Sequence, residues 1–127
     1  MIKFSQKGDF SKITKYLKSN VDLRLKFGPI FKKYGEQGVA NLRELTPKDT
    51  GLTSRSWYYK IDYSGDTITL SFLNDNIQNG YNVAVLIQFG HGTPSGHWVA
   101  GRDYINPALK SIMESIENEL WKEVTEE

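Results

Sequence analysis

Tyr59-Lys60-Ile61-Asp62-Tyr63-Ser64-Gly65-Asp66-Thr67-Ile68-Thr69-Leu70-Ser71-Phe72-Leu73 is the stretch on which the fold turns. Tyr59, Ile61 and Tyr63 alternate with Lys60 and Asp62, a period of two that sends each set to its own face of a strand. Ser64-Gly65-Asp66 carries turn chemistry, and the alternation resumes through Ile68, Leu70 and Phe72. Two such runs around a short turn predict an antiparallel β-hairpin.

Upstream of the hairpin the period is helical. Ile30, Phe31, Tyr34, Val39, Leu42 and Leu45 recur at close to 3.6 residues, which predicts a helix over Pro29–Leu45 with Pro29 in its first turn. Gly35 and Gly38 interrupt it, each at a cost of up to ~1 kcal/mol relative to Ala. They are read either as places where another segment comes close or as a kink. Thr46-Pro47 ends the helix, because the residue before proline is biased away from αR. An earlier helix is expected over Asp9–Ser19, where Phe10, Ile13, Tyr16 and Leu17 form one stripe and Lys12, Lys15 and Lys18 face outward.

Downstream, the polar loop Asn74–Gly80 leads into Tyr81–Phe89, whose run Val83-Ala84-Val85-Leu86-Ile87 suits a buried third strand, with a short helix as the alternative. Gly90–Asp103 contains four glycines and reads as a loop, long enough at 14 residues to imply a task. Asn106 as N-cap and Pro107 as first residue open a last helix, striped by Leu109, Ile112, Met113, Ile116, Leu120 and Val124 and expected to pack on the sheet. The order is α-α-β-β-β-α. This predicts a single α+β domain over residues 1–127: a small antiparallel sheet, two N-terminal helices and one long C-terminal helix.

Composition narrows the chemistry. With 39% apolar and 24% charged residues the protein is of globular type. It has no cysteine, which excludes disulfides, thiolate zinc sites and thiol nucleophiles. No apolar run approaches the ~20 residues of a bilayer span. No signal-peptide pattern opens the sequence, so a cytosolic origin is expected. The formal net charge of +1 conceals an asymmetry: residues 1–63 carry a balance of +7 and residues 64–127 a balance of −6. The two charges meet either within the fold or between identical subunits, and a basic half is also what nucleic acid attracts.

Candidate reactive groups are few. His91 and His97 sit six residues apart, which is no recognised ligand spacing, so hydrogen bonding in the loop or an interface role suits them better than metal or acid–base chemistry. Gly90-His91-Gly92-Thr93-Pro94 lacks the Lys-Ser/Thr ending of a phosphate loop. Ser54 and Ser56, near Arg55 and Asp49, lack a G-x-S-x-G frame, and Asp49-Thr50-Gly51 fits a capped turn. Trp57, Tyr58 and Tyr59 interleave with Arg55 and Lys60 as a base-stacking surface would, although a strand must send some of them into the core. Glu114, Glu117, Glu119 and Glu123 read as a solvated acidic face.

Three motifs in order carry a resemblance. Thr46-Pro47-Lys48-Asp49-Thr50-Gly51, with Ser56 five residues beyond the glycine, resembles the Pro-x-Asp-Thr-Gly…Ser motif of a family of tailed-bacteriophage head–tail joining and tail-component proteins, typified by the gene-ten product of phage HK-ninety-seven. Ala84-Val85-Leu86-Ile87-Gln88-Phe89-Gly90 resembles that family's Tyr-Ala-x-x-Val-Glu-Tyr/Phe-Gly-Thr segment, and Tyr104-Ile105-Asn106-Pro107-Ala108-Leu109 its entry to the last helix. Val83, Gln88 and Thr53 depart from the pattern, and His91-Gly92 is inserted before Thr93.

The resemblance implies a structural virion protein and not an enzyme, with no catalytic, metal or cofactor residues. Its copies would form a ring, commonly of six subunits, at the neck or the top of the tail. The implied partners are identical subunits, neighbouring neck, tail-terminator or tail-tube proteins, and DNA passing through the channel without sequence-specific binding. Pro47, Asp49, Thr50, Gly51 and Ser56, Phe89, Gly90, Gly92 and Thr93, and Tyr104 and Pro107 are then structural or contact residues. Trp98 joins them as the exposed aromatic of the long loop. A basic and an acidic half would supply the two complementary faces of a ring contact, which salt would weaken. The alternative function is a small nucleic-acid-binding or RNA-cleaving domain using His91, His97 and Arg102.

Overall fold

The computed structural model describes residues 3–7, 23–48, 51–64 and 67–125. The helix expected over Asp9–Ser19, the motif residues Asp49 and Thr50, and Gly65-Asp66 of the hairpin turn lie outside them. The described architecture is α+β, with eleven elements. They are β1 (Lys3–Lys7), α1 (Leu23–Leu45), α2 (Leu52–Arg55), β2 (Trp57–Ser64), β3 (Thr67–Asn74), β4 (Ile77–Gln78), β5 (Tyr81–Asn82), α3 (Val83–Phe89), β6 (Gly90–Gly92), β7 (Trp98–Ala100) and α4 (Ile105–Thr125).

The alternating stretch forms its hairpin. β2 and β3 pair antiparallel from Trp57↔Asn74 to Ser64↔Thr67. The third strand is not Tyr81–Phe89 but β1, which pairs with the other edge of β3 from Lys3↔Leu73 to Lys7↔Thr69. The sheet order is therefore β1-β3-β2. The run from Val83 takes the alternative reading and coils into α3, with Ala84 and Gln88 buried one turn apart.

Helix α1 starts at Leu23, six residues before the expected Pro29, which now sits inside the helix. A proline usually pushes its predecessor out of αR through contact with that residue's Cβ. Gly28 has no Cβ, so the helix runs through. The glycines on α1 fit its helical face to the sheet. A Cβ at Gly35 would stand 2.5 Å from Tyr59 Cδ2, and one at Gly38 would stand 2.4 Å from Phe72 Cζ. Tyr59 and Phe72 are directly opposed across β2 and β3. The two glycines thus form a saddle that lets α1 lie close over one cross-strand aromatic pair, so they mark close approach.

Helix α4 packs chiefly along α1 and less on the sheet than expected. Ile105, Ala108, Leu109, Ile112, Ile116 and Leu120 are buried there with Phe27, Ile30, Phe31, Tyr34, Val39 and Leu42. The helices run antiparallel: the Asn41 side-chain amide donates to Ala108 O (3.1 Å), while Lys26 meets Glu123 (3.3 Å) near the other end. Lys33 Nζ lies 3.1 Å from Glu119 Oε2 and 4.8 Å from the Tyr34 ring centroid. Two of the four glutamates read as a solvated face are thus paired with lysines of the same subunit. The basic and acidic halves meet at least partly within the fold.

Candidate interaction surface

Thr46, Thr53 and Ser54, in the segment that follows α1, are buried. Thr46 donates its hydroxyl to Leu42 O and accepts a hydrogen bond from Trp57 Nε1 (2.9 Å). Ser54 Oγ donates to Arg43 O at 2.6 Å, and Ser56 Oγ donates to Leu52 O at 2.7 Å. Gly51 takes a left-handed φ of 83° at the head of α2. Helix α2 is tied to the far end of β3 and the loop after it by amides. Asn74 Nδ2 donates to Thr53 O (2.8 Å), Asn76 Nδ2 to Thr53 Oγ1 (2.8 Å), and Asn82 Nδ2 to Asn74 O (3.0 Å). Among the described residues, Gly51 and Ser56 thus shape this local structure, and Pro47, Gly51 and Ser56 are each only partly exposed.

The long segment after α3 is a hairpin and not an open loop. β6 and β7 pair from Gly90↔Ala100 to Gly92↔Trp98. Thr93 closes its tip: the Thr93 N–H donates to His97 O (2.8 Å), and the His97 N–H donates to Thr93 Oγ1 (3.2 Å). The base is tight. Gly90 has φ 82°, and a Cβ there would stand 2.6 Å from Val99 O; one at Gly101 would stand 2.5 Å from Gln88 O. Only backbone fits at that crossing.

Gln88 ties this base to α4. Its Oε1 accepts the N–H groups of both Tyr104 and Ile105 at 3.0 Å, and its Nε2 donates to Asp103 at 2.8 Å. Gln88 thereby satisfies amides at the α4 start that would otherwise be orphaned. Asn106, the expected N-cap, lies inside the first turn and donates instead to Asp103 Oδ1 (3.1 Å). Tyr104 is buried, and burial pushes its phenol well above the ordinary range, so it stays a neutral donor to Ala84 O at 2.9 Å. It also meets Trp57 edge-on, with ring centroids 6.4 Å apart, which links the turn motif to the α4 entry. Pro107 is exposed on α4.

The end of α3 and the hairpin expose large apolar side chains with little formal charge around them. Phe89 is 63% exposed and Trp98 68%, with Val99 also exposed. Ile77 and Tyr81 are exposed on the β4–β5 hairpin at the other end of α3. Residues 76–102 contain no Asp or Glu, and Arg102 is their one formally charged residue. Aromatic enrichment with charge depletion is the composition of an interface core. His91 and His97 engage their own hairpin: His91 Nδ1 lies 3.1 Å from Gly92 O, and His97 Nδ1 lies 3.0 Å from Ser95 Oγ. Among the described residues, no group of three or more His, Asp or Glu is placed to hold a metal ion.

The structure thus separates the predicted site residues. Pro47, Gly51 and Ser56 lie along the segment around α2, while Phe89 ends α3 and Gly90, Gly92, Thr93 and Trp98 lie on the hairpin. Sequence reasoning missed Gln88, Ile77, Tyr81 and the amide set Asn74, Asn76 and Asn82. The even spacing of Asn74, Asn76, Gln78 and Asn82 was the available signal. No family model, curated protein or solved structure matches the sequence or its fold.

Proposed function

We propose that the protein is a structural virion component of a tailed phage or prophage, with six copies forming a ring at the neck or the top of the tail. The ring completes the tail and joins it to the head, around a channel that DNA crosses without sequence-specific contact. Assembly takes place in the host cytoplasm, with neck, tail-terminator or tail-tube proteins as neighbours. The observation that carries this reading is the exposure, in a charge-poor stretch, of Phe89 at the end of α3 and of Trp98 and Val99 on a hairpin held at its base, which suits contact with protein better than binding of a small substrate. The order of the three motifs supports the same reading.

Removing the gene from the phage or prophage that carries it tests the proposal. Electron micrographs of lysates are then expected to hold filled heads and tails that have not joined, and adding the purified protein should restore joined particles. Normal virions without the gene would overturn it. So would a purified protein that cleaves RNA and loses that activity on His91→Ala.

A further inference from the structure

We infer that Asn79 is a site of spontaneous covalent modification, at which intramolecular attack by the Gly80 backbone converts the side-chain amide to a carboxylate. Asn79-Gly80 is the single Asn-Gly pair in the sequence. It forms the two-residue turn between β4 and β5, with φ 52° at Asn79 and 81° at Gly80, both exposed. A Cβ built at Gly80 would meet nothing within 4 Å, so its amide nitrogen is unshielded on that side. The loop's other asparagines are held: Asn74, Asn76 and Asn82 are buried and donate through their side chains. Among the described residues, nothing hydrogen-bonds the Asn79 amide.

The step balances with water alone. Gly80 N gives its proton to solvent base and attacks Asn79 Cγ. The new C–N bond closes a five-membered imide as the bond from Cγ to Nδ2 breaks and ammonia leaves. Water then opens either carbonyl, giving aspartate or isoaspartate. Attack requires the turn to leave its folded dihedrals. A ribbon of two residue pairs, Ile77↔Asn82 and Gln78↔Tyr81, opens readily. The product is ionised at neutral pH and is the first carboxylate within residues 76–102.

Peptide mapping of the folded, full-length protein during incubation in heavy-oxygen water, at neutral and mildly alkaline pH, tests this. One heavy oxygen and an isoaspartyl linkage should accumulate at position 79, faster at the higher pH, with Asn74, Asn76 and Asn82 unchanged. Asn79→Gln should abolish the signal, since its longer side chain would close a less favourable ring. A folded protein that keeps its Asn79 amide while the denatured form loses it would overturn the inference, as would conversion at a different asparagine first.

Discussion

A single methyl group at Gly38 sets two energies of similar size against each other. In an exposed helical position, replacing Gly with Ala stabilises by about 1 kcal/mol. At Gly38 the new Cβ would stand 2.4 Å from Phe72 Cζ and 2.5 Å from Cε1, against a fully buried ring. Carbon atoms rest at about 3.5–4.0 Å, so α1 or the ring must retreat by roughly 1 Å. Overpacking of this kind costs about 1–3 kcal/mol, which leaves Gly38→Ala destabilised by about 1 kcal/mol once the helical gain is subtracted. Urea unfolding is the assay, with the midpoint falling at constant slope. Ala40→Gly, at an exposed position of the same helix, measures the propensity term alone and should lose about 1 kcal/mol. Phe72→Leu introduced beside Gly38→Ala should recover part of the loss, giving a favourable coupling in the double-mutant cycle. A Gly38→Ala protein more stable than the parent would refute the close approach of helix and sheet.

Trp98→Ala removes a side chain that is 68% exposed, so the unfolding free energy measured in urea should change by no more than about 0.5 kcal/mol. Joining of heads and tails should nevertheless fail in the complementation assay. Gln88→Ala strips the acceptor from two α4 amides and should cost about 1–3 kcal/mol in the same urea measurement. Hydrogen bonding from Tyr34, then from Lys33, holds the Glu119 carboxyl below its ordinary 4.5. The contribution of Glu119 is therefore full above that value and lost as pH falls through the lower folded value, so acid should close the gap in urea midpoint between the parent and Glu119→Gln. Lys26–Glu123 and Lys33–Glu119 are satisfied within one subunit, and the hairpin surface is nearly neutral. Ring occupancy on tails, counted in micrographs at low and high salt, should therefore hold steady; a steep fall with salt would instead make the charged halves the subunit faces.

The hairpin at Tyr59–Leu73 and the stripe of α4 are legible in the sequence because a period, two or 3.6, survives whatever the partner is. The saddle is half legible: Gly35 and Gly38 stand out as anomalies, but the ring each would meet does not. Val83–Phe89 reads as a strand and folds as a helix because a short apolar run fits both equally. The third strand comes instead from far away in the sequence, with Lys3–Lys7 pairing along β3. Helix capping at Ile105 fails to show for a similar reason. Local rules nominate Asn106, whereas the acceptor is the Gln88 side chain, which only the tertiary fold delivers. On the candidate site, the glycines announce a tight turn, but the neutrality of residues 76–102 becomes a surface property only once Phe89 and Trp98 are seen to face outward.

The base of the β6–β7 hairpin determines how load would travel. Arg102 N–H is bonded to Ile87 O at 2.9 Å, and Gln88 grips the first residues of α4. A pull on Trp98 passes through the two short strands and residues 101–104 to a 21-residue helix packed against α1, and these bonds brace that connection. The hairpin is an arm braced at its base. In the proposed ring, contacts made through such arms would couple a displacement at Trp98 to the body of the subunit.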